Sequence, residues 1–111
     1  MRAYLLVDHG SRLEAANRVV EEVARSLAAH VEPAAKVAFA HQEAAPPSIE
    51  ETVASLAAEG VSELVVIPFF LAPGKHATSD VPRLAREAAE RAGMTLEVLP
   101  PPLPEVPDEL A

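Results

Sequence analysis

Cysteine is absent from this chain of 111 residues, and aromatic residues are scarce. Without a thiol the chain has no disulfide, no thiolate metal site and no cysteine nucleophile, so any metal chemistry must rely on its four histidines. Three Phe, one Tyr and no Trp leave the core to be built from Val, Leu, Ile and Ala. That composition suits layered α/β packing.

Positive charge and long apolar runs are also in short supply. Nine Lys and Arg against 17 Asp and Glu give a formal net charge of −8, which argues against nucleic acid or an anionic membrane as a main partner. No run approaches the roughly 20 apolar residues that span a bilayer. The N-terminus turns polar after Val7, too early for the core of a signal peptide. We therefore expect a cytoplasmic protein with neither membrane nor nucleic acid as partner.

Short apolar runs alternate with helical patterns along the chain. The first helix is predicted to begin at a capping box of Ser11 with Glu14, and the second at a capping box of Ser48 with Glu51. The third is predicted to begin near Val81, with Asp80 as its N-cap and Pro82 in its first turn. Strands are predicted at residues 3–7, 36–40, 64–67 and 95–99, and the second helix is predicted to stop at Gly60.

This β-α-β-α-β-α-β order predicts a three-layer α/β domain, in which a four-stranded parallel sheet has helices on both faces. We expect one domain over residues 1–111, with a Pro-rich tail from about residue 100, and a second copy to supply burial that so small a domain lacks. Ligands of such sheets bind at the carboxyl ends of the strands. The loops predicted at that edge hold His9, His41 and His76.

His9 and His76 are the leading candidates for chemistry. A lone turn histidine usually bonds to backbone, but two imidazoles from separate loops at one edge suit Co²⁺, Ni²⁺, Fe²⁺ or Zn²⁺. Two ligands leave coordination positions open for a substrate. Asp80 is either a helix cap or the acceptor of an N–H from His76. His41 and Glu43 are either a further ligand or base, or part of a solvated loop.

The same residues bear on three other functions. Neither G-x-x-x-x-G-K-[ST] nor G-x-G-x-x-G occurs around Gly74, so no nucleotide is expected. The segment LVDHG is similar to the strand and R-H-G turn of histidine phosphatases, but Asp8 replaces the phosphate-binding Arg and would repel phosphate. A non-catalytic carrier of cobalt or nickel that uses the same histidines stays open as an alternative.

Two motifs, LLVDHGSR near the start and VVIPFFLAPGKHATSDVP in the second half, resemble the small single-domain chelatases of the CbiX type. The resemblance covers nearly the whole chain and includes Ala38-Phe39 followed by a Pro-Ser-Ile-Glu-Glu helix start. It implies a chelatase-like fold, equivalent to a flavodoxin-like half, and a homodimer. It also implies the class II activity: insertion of a divalent metal, most often Co²⁺ and in some relatives Ni²⁺ or Fe²⁺, into sirohydrochlorin without ATP, in cobalamin or siroheme-type biosynthesis.

The resemblance also assigns residues. His9 matches the histidine that serves as base and metal ligand, and His76 matches the second ligand. Many relatives carry a glutamate between Phe39 and the helix-starting proline; in the loop AHQEAAP, Glu43 is the candidate. The segment Leu71, Ala72, Pro73, Gly74 and Lys75 matches the part of the family that contacts the macrocycle. From their charge and their place at this edge, Arg12 and Lys75 are expected to receive carboxylates of the tetrapyrrole, and Ser11 and Glu43 are further expected substrate contacts.

Overall fold

The computed structural model describes residues 1–69 and 75–99, and of residues 75–79 the backbone alone. The predicted macrocycle contacts at 71–74 and the Pro-rich tail lie outside the described residues, and the single domain stays a prediction. Over the described residues, four strands alternate with three helices in the predicted order. They are β1 (Arg2–Asp8), α1 (Glu14–Ala28), β2 (Lys36–His41), α2 (Ile49–Ala58), β3 (Glu63–Pro68), α3 (Lys75–Ala92) and β4 (Thr95–Val98).

Within this described part of the chain, the four strands form one parallel sheet in the order β2-β1-β3-β4. The predicted α/β class and parallel sheet are confirmed. The chain first steps from β1 outward to β2 and then returns to place β3 on the other side of β1. Between β1 and β3 the direction of winding therefore reverses. In open α/β sheets the crevice beyond the strand ends at this reversal is the usual place for a ligand.

The helices cover the two faces of the sheet unequally. On one face, α2 and α3 pack over β1 and β3, where Leu5, Val66 and Val81 are almost fully buried. On the other face, α1 packs Val20 and Ala24 against Leu6 and neighbouring residues of the sheet. Leu13 is 71% exposed, because it precedes the first turn of α1 at the N-cap position. No described helix is both long and apolar enough to cross a membrane.

The start of the third helix was predicted wrongly. The helix begins at Lys75 rather than near Val81, so Asp80 is not an N-cap and Pro82 lies inside the helix. A proline there lacks the amide that would bond to the carbonyl four residues earlier, a cost of about 3 kcal/mol. Full burial of Val81 and Ala85 against the sheet holds this part of the helix in place. Tertiary packing has here overridden a local signal.

One of the two predicted capping boxes is present. Ser48 accepts a hydrogen bond from the amide of Glu51, and the Glu51 carboxylate accepts one from the amide of Ser48, at 3.1 and 3.2 Å. Ser11 is not the cap of α1, because the helix begins only at Glu14. Its hydroxyl instead accepts a hydrogen bond from the Leu13 amide at 3.0 Å.

Candidate functional site

His9 and Glu43 meet at the carboxyl edge of the sheet. His9 directly follows β1, and its Nε2 lies 3.0 Å from Oε1 of Glu43 in the loop after β2. The two side chains are 52% and 62% exposed, so a ligand can reach both. The structure therefore brings together an imidazole nitrogen and a carboxylate oxygen, two donors suited to a first-row divalent ion. The sequence had left the part of Glu43 open.

The backbone of the two loops explains why these side chains meet. The hydrogen bonding between β1 and β2 continues past both strands, since the Gln42 amide donates to the Asp8 carbonyl at 2.9 Å and the Glu43 amide donates to the His9 carbonyl at 3.1 Å. Gly10 makes this approach possible. Its φ is +91°, and a Cβ there would lie 1.8 Å from the Glu43 carbonyl oxygen. The sequence showed a glycine after His9, but not the chain that would lie against it.

Asp8 and His41 form a second pair at the same edge of the sheet. His41 ends β2 and is only 2% exposed, so its prediction as a loop residue was wrong. The parallel register places it opposite Asp8, and its Nδ1–H donates to Oδ1 of Asp8 at 2.5 Å. The ring of Phe39 packs against His41 in a T-shaped arrangement, with the ring centres 5.8 Å apart.

Asp80 connects this edge to α3. Its carboxylate accepts hydrogen bonds from the Gln42 side-chain amide and from the Arg83 guanidinium, each at 3.4 Å. His76 lies in the first turn of α3, so its prediction as a loop residue was wrong. Positions 76 and 80 are four residues apart in this helix and therefore lie on the same helical face.

The side chain of His76 is not among those that the structure describes. Among the described side chains, no group of three or more His, Asp or Glu is placed to hold a metal ion. His9 and Glu43 alone would give such an ion an incomplete coordination shell. The first turn of α3 follows β3, and β3 neighbours β1 in the sheet. The elements that carry His9 and His76 thus flank the crevice at which the winding of the sheet reverses.

A cleft of about 390 Å³ lies next to His41, and neither His9 nor Glu43 is part of its lining. It lies between the start of α1 and the loop that precedes α2, and Ser11, Arg12, His41 and Pro47 contribute to its walls. Ser11 is fixed there by Asn17, whose side chain accepts a hydrogen bond from the Ser11 amide at 2.9 Å and donates one to its carbonyl at 2.7 Å. Two residues predicted to contact substrate therefore share one concave surface.

Comparison with known proteins gives the family. The CbiX family model matches residues 3–103. This chain belongs to the CbiX family. Among curated relatives, the chloroplastic sirohydrochlorin ferrochelatase of Arabidopsis thaliana is 37% identical over 91 residues, which cover 78% of this chain and 38% of that protein. The sirohydrochlorin cobaltochelatase of Methanopyrus kandleri is 37% identical over 84 residues, covering 76% of this chain and 58% of that protein. The chain thus spans about half the length of these relatives.

Solved structures agree with the family. A cobalamin (vitamin B12) biosynthesis CbiX protein of Marinobacter aquaeolei superposes with a TM-score of 0.75 at 30% identity, over 91% of this chain and 82% of that one. The sirohydrochlorin chelatase SirB of Bacillus subtilis subspecies spizizenii, solved in complex with cobalt, gives 0.73 at 27% identity, over 90% of this chain and 43% of that one. The predicted membership and fold are confirmed.

Proposed function

We propose that this chain inserts a divalent metal ion into sirohydrochlorin without nucleotide hydrolysis. The observation that carries the proposal is the pairing of His9 Nε2 with Glu43 Oε1, at 3.0 Å, on the exposed edge of a CbiX-family fold. Relatives named as cobaltochelatase and as ferrochelatase support the same reaction class.

Metal insertion needs what these two side chains offer. Two pyrrolic N–H protons must leave the macrocycle while the ion exchanges its waters for ring nitrogens, so a proton acceptor must lie beside a loosely held cation. In the proposal, neutral His9 is a metal ligand and base, and the Glu43 carboxylate lies beside it as a second oxygen donor and proton acceptor. A shell with so few protein ligands leaves positions open for the ring nitrogens.

His76 is proposed as the second imidazole ligand. Its place in the first turn of α3, on the helix that follows β3, supports this role, because the His9 loop and this turn flank the same crevice. Asp80, one turn further along the same face, is proposed to accept the second N–H of the His76 ring. Gln42 and Arg83 would hold the Asp80 carboxylate for that purpose.

The peripheral carboxylates of sirohydrochlorin need cationic and hydrogen-bonding partners. Arg12 is exposed beside the cleft and is proposed to bind one of them, with Ser11 and Lys75 as further contacts. The exposed Leu13 adds apolar surface next to Arg12. Contacts from Leu71, Ala72, Pro73 and Gly74 to the macrocycle stay predictions from the family resemblance.

The metal is proposed to be Co²⁺, with Ni²⁺ and Fe²⁺ as alternatives, because imidazole and carboxylate donors suit all three ions. Relatives named for cobalt and for iron both occur. A homodimer and a cytoplasmic location stay predictions from the sequence and the family resemblance.

The test is an insertion assay with Co²⁺, Ni²⁺ and Fe²⁺ in parallel, in which the visible spectrum of sirohydrochlorin is followed over time. We expect insertion well above the spontaneous rate with at least one ion and its loss in His9→Ala. His30→Ala is the matched control, since His30 bonds to the Ser26 carbonyl at 2.9 Å beyond α1. A carrier would give only the spontaneous rate, and turnover of p-nitrophenyl phosphate that depends on His9 would favour a phosphatase.

A further inference from the structure

The shortest contact between a basic and an acidic side chain among the described residues is not the one proposed to bind metal. It joins Asp8 and His41, whose side chains are 16% and 2% exposed and whose Oδ1 and Nδ1 atoms are 2.5 Å apart. We propose that the Asp8–His41 hydrogen bond holds His9 and Glu43 at the relative position in which both can bind a metal ion. This inference rests on the proposed function.

Both members are joined closely to the proposed ligands through the backbone. Asp8 precedes His9, and His41 comes two residues before Glu43. The segment from His41 to Pro47 is closed by a hydrogen bond from the His41 amide to the Pro47 carbonyl at 2.9 Å. Two further backbone bonds, from Gln42 to Asp8 and from Glu43 to His9, attach this segment to the end of β1. A shift of His41 relative to Asp8 would therefore move the Glu43 carboxylate relative to the His9 ring.

Stability alone does not account for such a pair. Desolvation of two charged or polar groups offsets much of the gain from their contact, and well-packed apolar replacements of buried pairs are often neutral or stabilising. A short directional hydrogen bond does fix one relative position of two strand ends, which apolar side chains would not. This is the property that a metal site with few protein donors needs, because those donors must be held in place before the ion arrives.

The decisive variant replaces both partners by apolar residues, Asp8→Val with His41→Leu, so that neither is left buried and unpaired. We expect its melting temperature to stay near that of the wild type, while the dissociation constant for Co²⁺, measured by calorimetric titration of the metal alone, rises about 10-fold or more. Loss of a residue that orients metal ligands typically weakens metal binding by about 10- to 100-fold. Asp8→Asn keeps an acceptor for the His41 N–H and should bind Co²⁺ within about threefold of the wild type.

Thr52→Val is the matched control. Thr52 is 8% exposed, and its hydroxyl donates to the Ser48 carbonyl at 2.8 Å within α2. Its loss should lower stability and leave Co²⁺ affinity unchanged.

Wild-type affinity in the apolar double variant would overturn the positioning role, as would an Asp8→Asn variant that binds as weakly as the double variant. If the double variant fails to fold, Asp8→Asn and His41→Gln decide, because both retain a donor and an acceptor; a loss of about 10-fold in either while it stays folded would overturn the inference. His9→Ala is measured alongside. Co²⁺ affinity unchanged in His9→Ala would instead refute the ligand assignment of the proposed function.

Discussion

Replacing Gly10 by alanine would force the first two strand-to-helix loops apart. The new Cβ would lie 1.8 Å from the Glu43 carbonyl oxygen and 2.9 Å from its carbonyl carbon. Both atoms are backbone, so no side-chain rotation can relieve the contact. To reach even 3.0 Å, below which Cβ contacts essentially do not occur, the Glu43 carbonyl oxygen must retreat by about 1.2 Å. That movement strains the bond from the Glu43 amide to the His9 carbonyl.

The cost follows from two contributions. Alanine at φ +91° costs about 1–2 kcal/mol relative to glycine. Loss of one backbone hydrogen bond adds about 1 kcal/mol. The total of roughly 2–3 kcal/mol is a large part of the stability of a domain this small, and it corresponds to a fall in melting temperature of roughly 10 °C or more. Because Glu43 moves away from His9, we also expect weaker Co²⁺ binding.

Gly60→Ala is the matched control for this substitution. Gly60 has almost the same backbone conformation, with φ +96°, but nothing lies within 4 Å of a Cβ built there. It should lose only the conformational contribution of about 1–2 kcal/mol and keep full Co²⁺ affinity. Calorimetric melting and Co²⁺ titration of both variants make the comparison. Equal falls in melting temperature, together with wild-type Co²⁺ binding by Gly10→Ala, would refute the reasoning.

Three further outcomes are expected. His76→Ala should abolish assisted metal insertion without changing the far-UV circular dichroism; retained insertion would remove His76 from the mechanism. Glu32 should titrate below its ordinary 4.5, because its own backbone amide, the Tyr4 hydroxyl and the Arg2 charge lower its pKa. The contribution of ionised Glu32 to folding stability is therefore present above pH 4.5 and is lost as the pH falls through the lowered pKa. In Tyr4→Phe the Glu32 pKa, measured by carboxyl NMR titration, should move towards 4.5; no movement would exclude the Tyr4 hydroxyl as a cause of the shift. Sedimentation at micromolar concentration should show a dimer, and a fully active monomer would contradict it.

The sequence predicted the strands and the first two helices because their signals are local. Residues 64–67 read as a buried strand, and they lie within β3. The Ser48 capping box and the stop at Gly60 also needed only near neighbours in the chain. The start of α3 failed because Asp80 and Pro82 are a correct local signal for a helix start, and only the burial of Val81 and Ala85 shows that the helix continues through them.

The site was less accessible to sequence reasoning. Asp8 and His41 are 33 residues apart, and their contact depends on which strands are neighbours and in which register they pair. Neither property can be read from two short apolar runs. The need for glycine at position 10 could not be predicted for the same reason, because the neighbour that requires it is Glu43 on another loop. His9 was found because it directly follows a predicted strand, where the fold itself places ligands.

The central place of β1 in the sheet affects how fast the backbone amides near the site exchange with solvent. Both edges of β1 are hydrogen-bonded, to β2 and to β3, whereas the four-residue β4 lies at the rim. Amide hydrogens of Leu5 to Val7 should therefore exchange with solvent deuterium only when the whole domain opens, while those of β4 exchange through local fraying. His9 lies two residues after Val7, the last residue of this slowly exchanging segment. The proposed metal donor is thus attached to the strand that we expect to open last during unfolding.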